Sequence, residues 1–441
     1  MPQPRPNALV LLLAAYAALP ALGGLLWLAL GDDDPLRNRA PLDLLPIWEL
    51  AVILVALRTG FSRRALAGIL SPFERLALIL FAAVALWGIT MVAVDPAGAA
   101  ERAGLRLLHV ATGLALAHLL WRAGRGTAVS LALIAQPLVY LPVLALLYAL
   151  YAGDPTMNWL GGPVGYWHVR IWGMSLAVAL AAAAGLYAAA APDLRGHLVW
   201  VAILVLLAAQ LCFSGFRGGA AAVPVALALM TLVRPRRMLA RLPAIAGALA
   251  AGAALSLAVP APIEDYGLLH GLIGATPAWD QPSTVAGAGR MEIWSETLRL
   301  IGERPFLGYG HDQFGQHFRL GGLDYVQPHS APLNVLFDFG LVGGAALTAV
   351  MVSLWAYGVA AVRTDDGTAR LGAFGALQAV LAMALVDGAL YHPEPLAMCA
   401  LALTGLLAGT RRGGLQADPE AANDPPDAPA DKGARNAQDQ R

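Results

Sequence analysis

The feature that most constrains this chain is a succession of apolar runs, many close to the length that crosses a bilayer. A hydrocarbon core takes about 20 residues of helix. Such runs lie near residues 8–30, 44–58, 74–94, 104–121, 127–151, 172–191, 198–216, 218–233, 243–260, 334–362, 370–388 and 395–410. In lipid every backbone N–H and C=O must be satisfied within the protein, so runs of this kind fold as helices. The expectation is an all-α, polytopic integral membrane protein with about twelve transmembrane helices. Composition agrees. Only 13% of the 441 residues are charged and the mean hydropathy is +0.62, whereas a soluble domain carries roughly a quarter charged residues. The formal net charge is zero, which gives no electrostatic ground for a nucleic-acid partner. The first run follows Arg5 and is long enough to span, so it reads as an uncleaved helix rather than a signal peptide.

Arginine sorts between alternate loops. One side carries Arg58, Arg63, Arg64, Arg122, Arg125, Arg195, Arg234, Arg236, Arg237, Arg241, Arg363, Arg370, Arg411 and Arg412. The short loops of the other side carry Arg37 and Arg39 beside three aspartates, then Arg102, Arg170 and Arg217. The richer side is expected to be cytoplasmic, which puts both termini there. The chain then divides into a multi-span membrane domain, 1–412, and a disordered cytoplasmic tail, 413–441, too poor in apolar residues to fold. Cys212 and Cys399 lie inside apolar runs and read as small core residues, with neither a disulfide framework nor metal spacing.

The loops are unequal. Most are short turns, but one on the outer face runs over about 261–333, and loops of that length are commonly functional. A smaller outer loop holds Trp159, Tyr166 and Trp167, which suit the membrane interface. Within the large loop, "GRMEIWSETLRLIGERPFLGYG" predicts a helix over 290–303, with Met291, Trp294, Leu298 and Ile301 on one face. Pro305 ends it, and Gly308 and Gly310 suggest a flexible turn. Arg290 stands in the first helical turn, where the helix dipole disfavours a cation. A bound anion reverses that cost, because N-terminal NH groups and a guanidinium together hold phosphate.

Arg217, in "CFSGFRGGAAAVPV", has no polar loop around it. Either it snorkels to the headgroups, or Gly215, Gly218 and Gly219 let the backbones close around a buried cation. His329 stands where the polar loop meets the next apolar run. Either it anchors or caps at the interface, or its imidazole, which titrates near neutrality, takes a proton from a hydroxyl. His311 and His317 are six apart and share no helical face, so no metal site is expected. Glu49, His109, His118, Gln136, Gln210 and Asp338 fall within apolar runs and keep a transporter open as an alternative class. Transporters tend to show repeated halves, and none is visible here.

Taken in order, "SGFRGG" at a helix-pair turn, the Arg290 helix running into Pro305 and "GYG", and "QPHSAPLNVLFDFGLVGGAAL" resemble the O-antigen ligase and O-antigen polymerase family of bacterial envelope glycosyltransferases. The resemblance covers roughly residues 160 to 410. Two positions depart from the usual pattern: Ser330 follows the histidine in place of Asn, and Phe216 precedes Arg217. The resemblance implies a C-type glycosyltransferase-like fold in the bacterial inner membrane. It implies transfer of a glycan from an undecaprenyl-diphosphate-linked donor to a hydroxyl acceptor at the periplasmic face. The acceptor is lipid A core for a ligase or another lipid-linked repeat unit for a polymerase. The family works without metal or other cofactor and inverts the anomeric centre. On this resemblance His329 is the catalytic base and Arg217 and Arg290 bind the diphosphate. Arg170, Trp294 and His392 are possible supporting residues. His392 shares the outer turn of "VDGALYHPEPLAM" with Asp387 and Glu394, where it either supports the site or caps a helix.

Overall fold

The computed structural model describes residues 6–30, 40–62, 69–123, 126–154, 157–159, 164–166, 168–190, 193–263, 266–268, 290–320, 323–364 and 369–408. The tail at 413–441, residues 269–289 of the large loop and Trp167 lie outside the described residues. Thirteen long helices appear among those described: α1 Pro6–Ala29, α2 Ala40–Arg58, α3 Pro72–Trp87, α4 Pro96–Ala123, α5 Gly126–Tyr151, α6 Val169–Ala189, α7 Leu194–Phe213, α8 Arg217–Val233, α9 Pro235–Leu257, α10 Arg290–Glu303, α11 Ala331–Thr364, α12 Ala369–Val386 and α13 Pro393–Leu407. A π turn, Gly88–Val92, extends α3. Each of the twelve apolar runs falls on one of these helices. Eight, namely α1, α3 to α7, α9 and α11, are long and apolar enough to cross a membrane, while α8, α12 and α13 are apolar but shorter. The all-helical expectation has one departure, a two-stranded antiparallel pair in the large loop, β1 Arg319–Leu320 and β2 Leu323–Asp324.

The bundle is organised around α6. This helix is buried along its length apart from Arg170 in the first turn, and most of its side chains are Ala, Gly or Val. Small side chains let helix backbones approach in lipid, where packing rather than hydrophobicity holds helices together. At Gly375 of α12 a Cβ would lie 2.7 Å from the Ala181 carbonyl oxygen of α6, so only glycine permits that contact. The start of α3 is fixed by a reciprocal cap. The Ser71 hydroxyl accepts from the Glu74 amide and the Glu74 carboxylate from the Ser71 amide. Glu74 also accepts from the Ser353 hydroxyl of α11 at 2.7 Å. A buried carboxylate is thereby engaged in a cap and an interhelical bond.

The segment read as one span at 334–362 is two helices joined at Gly340 (φ 61, ψ −166), a backbone region open essentially to glycine alone. The break frees two carbonyls and two amides, and the chain before it satisfies them. Tyr309 N and Gly310 N donate to the Phe337 and Asp338 carbonyls at 2.9 and 3.0 Å. Leu341 N and Val342 N donate to the Pro305 and Phe306 carbonyls at 2.7 and 3.1 Å. Non-helical backbone beside a membrane span is tolerated where protein re-satisfies it in this way. Gly308 and Gly310 are therefore packed glycines in a hydrogen-bonded strip, which corrects the expectation of a flexible turn.

Helix α10 has the expected limits but a different buried face. Ile293, Thr297 and Leu300 are buried, against Tyr309, Phe314 and Phe337, while Met291 and Leu298 are exposed. Trp294 and Ile301 pack at the edge of that cluster. The apolar spacing pointed to the wrong stripe because Thr297 counts as polar in a pattern. In the fold its hydroxyl is bonded to the Ile293 carbonyl at 2.6 Å and packs as an apolar residue.

Candidate functional site

Most of the polar residues singled out above gather at one end of the bundle, where α6, α8, α10, α11 and α13 begin and α12 ends. Their meeting point is Asp387, in the turn after α12. Its Oδ2 lies 3.5 Å from a guanidinium nitrogen of Arg290, and its Oδ1 lies 3.6 Å from His329 Nδ1 and accepts the Gly388 amide at 2.8 Å. Burial works to raise the Asp387 carboxyl, but His329, Arg170 and Arg290 outweigh it and hold the group below the usual carboxylate range. Near neutral pH the turn therefore carries a fixed negative charge between a guanidinium and an imidazole.

His329 is held in an unusual backbone state. Its φ is 52, uncommon for any residue with a side chain and typical of sites where surrounding structure over-determines the chain. The loop around it is pinned from two sides. Trp294 of α10 donates from Nε1 to the Pro328 carbonyl at 2.9 Å, and the Gln327 side chain meets His392 Nε2 at 3.2 Å. Trp294 and His392 thus act on the loop that carries His329. At 3.6 Å the contact with Asp387 is longer than a hydrogen bond, and Nδ1, though buried, has no hydrogen-bond partner among the described residues. The imidazole is 21% exposed, so one edge is free to meet a substrate.

His392 and His168 flank this centre. His392 precedes α13 without bonding its first amides, which answers the open question about it: it does not cap. His168 does cap, accepting the Arg170 amide at 3.0 Å at the start of α6. Burial lowers both imidazoles to about 4; Arg170 adds to the shift at each, and His329 at His392. Both are neutral at neutral pH, which suits positioning more than anion binding.

Arg217 starts α8 and is exposed. The glycines beside it do not enclose its guanidinium. They make room for Phe216, whose ring a Cβ at Gly218 or Gly219 would meet at 2.8 Å. Phe216 also fills the space left by Gly173 of α6, where a Cβ would sit 2.5 Å from the Phe216 Cβ. This contact brings the N-terminal ends of α6 and α8 together, each with an arginine in its first turn, Arg170 and Arg217. Two helix N-termini that each carry a guanidinium form a natural receptor for an anion. Arg217 has no ion-pair partner among the described residues.

Next to this centre lies an apolar cavity of about 750 Å³. Its lining includes Ala331 and Pro332, two and three residues after His329, together with Leu336, Met351 and Trp355 on α11 and Leu385 on α12. Among the described residues no group of three or more His, Cys, Asp or Glu is placed to hold a metal ion. His311 instead lies 3.3 Å from Asp338, and the His317 ring packs at a tilt against Tyr309. Two pairs of polar groups inside the spans bond to each other: Glu49 with His109 at 2.6 Å, and Gln136 with Ser175 at 2.7 Å.

The sequence alone places Asp387 in the turn without a role for it, and it does not single out His168 or Gln327. An aspartate closing an apolar run is a usable signal. Its partners Arg290 and His329 are 97 and 58 positions away, and only the fold brings them together.

Fold and site define a polytopic membrane protein with a basic, histidine-bearing polar centre at the end of its bundle, beside an apolar cavity. Residues 202–348 match the model of the O-antigen ligase family. An O-antigen ligase of Pseudomonas aeruginosa is 34% identical over 106 residues, 24% of this chain and 26% of that protein. The chain thus aligns with about a quarter of that relative's length. Over this segment the chain is similar to the O-antigen ligase family, and its apolar helices fit a multi-pass membrane protein. The matched range contains Arg217, Arg290 and His329, while Arg170, Asp387 and His392 fall outside it.

Proposed function

We propose that this protein transfers a glycan from an undecaprenyl-diphosphate carrier to a hydroxyl of a lipid A core acceptor, at the periplasmic face and with both termini cytoplasmic. The observation that carries this reading is the meeting of His329 and Arg290 on Asp387, with both contacts at 3.6 Å or less, close to an apolar cavity lined by Ala331 and Pro332. A lipid-linked diphosphate needs cationic donors at its phosphates and an apolar place for its chain. The cavity supplies the second for part of a long prenyl chain, and Arg290, Arg217 and Arg170 supply the first.

In the reaction His329 Nε2 takes the proton from the acceptor hydroxyl. The oxygen attacks the anomeric carbon from the face opposite the diphosphate and forms the new glycosidic bond. The bond from that carbon to the phosphate oxygen breaks, and the carrier diphosphate leaves with the electron pair. A single displacement inverts the anomeric centre. Asp387 presents its carboxylate to Nδ1 and favours the tautomer with its free lone pair on Nε2. Their 3.6 Å separation is compatible with a site that tightens when substrates bind. Arg290, held by Asp387 before the donor arrives, turns to the diphosphate, where charge grows as the bond breaks. The guanidiniums take the place that a divalent cation would have at a diphosphate, so no metal is required.

The test is a purified-protein assay with lipid-linked donor and core acceptor in the presence of EDTA. The expected product is a new glycosidic bond. Movement of lipid without bond formation would make the protein a transporter, and activity restored only by Mg²⁺ or Mn²⁺ would overturn the metal-free scheme. A deletion strain separates the two family activities. A ligase leaves free core with polymer accumulating on the carrier, and a polymerase leaves core capped by one repeat unit.

A further inference from the structure

We infer that the site end of α4 carries a second anion site, built by Arg106 with Arg102 and Tyr391, which binds a phosphate group on the membrane-anchored acceptor. This rests on the transferase reading above for the word acceptor, but the site itself is drawn from a separate group of residues. Arg102 Nε lies 2.7 Å from Asp312 Oδ2. Arg102 Nη1 donates to the Tyr391 hydroxyl at 2.8 Å, and that hydroxyl donates to Asp312 Oδ1 at 2.7 Å. Both oxygens of the one carboxylate in the group are therefore engaged. Arg106, one turn further along α4, stacks over the Tyr391 ring at 5.5 Å from its centroid and has no carboxylate partner among the described residues. Glu101, on the same helix, is turned from Arg106 by about 140° at 100° per residue and pairs with neither arginine. The group has two guanidiniums and one carboxylate, which pairs with Arg102, so it keeps an uncompensated positive charge on Arg106.

The position of that charge identifies its ligand. Helix α4 is apolar enough to cross a membrane, and Arg106 lies about 15 Å along it from Pro96 at 1.5 Å per residue. Leu105, Leu107 and Val110 around it are exposed, at 44%, 66% and 50%, as lipid-facing side chains are. An unpaired cation among such residues is costly unless a polar partner meets it there, and a lipid-borne phosphate has the charge and the acceptor oxygens to do so. Tyr391 immediately precedes His392 and shares the turn 387–392 with Asp387. A phosphate held on Arg106 therefore brings its lipid beside the turn that carries the reaction centre, on a basic group other than the one assigned to the donor. The acceptor would reach the site sideways, from the bilayer along α4.

The full-length protein in phosphatidylcholine nanodiscs tests this through binding and turnover together. Bis-phosphorylated lipid A should bind more tightly than its dephosphorylated counterpart. R106Q should weaken the phosphorylated form on the order of tenfold, the scale of one charge-assisted hydrogen bond, and remove the preference. R106K, which keeps the charge, should retain part of it. In turnover, R106Q should raise the KM for phosphorylated acceptor with little change in kcat or donor KM. Equal binding of the phosphorylated lipid by R106Q and the parent protein would overturn the inference. So would the absence of any phosphate preference in the parent protein, or full displacement by equimolar phosphatidylglycerol. A parent protein that forms no glycosidic bond would defeat the transferase reading alone, because the binding arm still decides the site.

Discussion

Helices α6 and α11 solve the same problem in opposite ways. Both must keep their backbone polar groups from lipid. Helix α6 does so by being an unbroken helix, buried beyond Arg170 behind small side chains. Helix α11 is opened at Gly340, and the strip from Pro305 to Gly310 supplies the missing hydrogen-bond partners. A closed helix can offer the site only what stands at its end, and α6 offers Arg170 and the cap His168. An opened helix brings in the segments that seal it. The strip that seals α11 fixes the end of α10, whose Trp294 in turn holds the loop of His329. Rigidity comes from the first region and chemistry from the second.

The sharpest way to break this contrast is to remove the reacting groups of the α11 region while leaving α6 alone. His329→Ala should lower turnover by about 10² to 10⁴-fold, the usual contribution of a general base, with donor binding largely kept. His329→Gln keeps a polar side chain but cannot take the proton, and it should be equally inactive. Arg290→Lys keeps the charge but loses the guanidinium fork, so it should also lose most activity in a protein that inserts normally. An active Gln variant would mean that His329 only positions substrate.

Gly340→Ala attacks the opening itself. The new Cβ would fall inside the Phe306 carbonyl, and the backbone strain alone is about 1 to 3 kcal/mol. Activity should drop by roughly tenfold or more on that scale. Amide exchange should quicken at residues 305–310 and 337–342 while α6 and α12 stay protected. Uniform loss of protection through the bundle would mean that the two regions are not separable.

Much of this was legible beforehand, and the unreadable part has a physical pattern. All twelve apolar runs lie on helices, because a span is declared by its own composition. Helix α10 was readable to its limits from Pro305 and the acidic and apolar spacing, but not its buried face, since Thr297 becomes apolar only after bonding to Ile293. Arg290 and His329 were visible as misfits within their own segments. Asp387 was not, because its importance lies in partners 58 and 97 positions away. The break at Gly340 was hidden for a similar reason: a glycine in an apolar run looks like packing until the strip that faces it is known.

The α6 region should respond differently. Gly375→Ala in α12 pushes a methyl against the Ala181 carbonyl and the Met230 sulfur, each 2.7 Å from the new carbon. Overpacking of this kind costs about 1 to 3 kcal/mol, and the unfolding midpoint in detergent should fall accordingly. Turnover per folded molecule should stay near that of the parent protein. A variant that loses turnover at an unchanged midpoint would tie the core to the chemistry and erase the distinction.

The smallest effect compares the two histidines that flank the site, His168 at the start of α6 and His392 beside the loop of α11. Each is held at about 4 by burial first, against 6.5 for a free imidazole. Between those values the unfolded chain binds more protons than the folded one. Stability therefore rises with pH across the window and is lost as pH falls from about 6.5 toward 4. Asp387, held below the usual carboxylate range, contributes stability that is lost only further down, as pH falls past 3.8 toward its lowered folded value, so it leaves this window to the imidazoles. His392→Gln and His168→Asn, the latter keeping an acceptor for the α6 cap, should each flatten the decline of the unfolding midpoint between pH 6.5 and 4.5, and the double variant should flatten it further. If the double variant declines as steeply as the parent protein, the titrating groups lie elsewhere. If only one single variant flattens the slope, acid opens just one of the two regions first: the end of α6 if His168 is responsible, the His329 loop if it is His392.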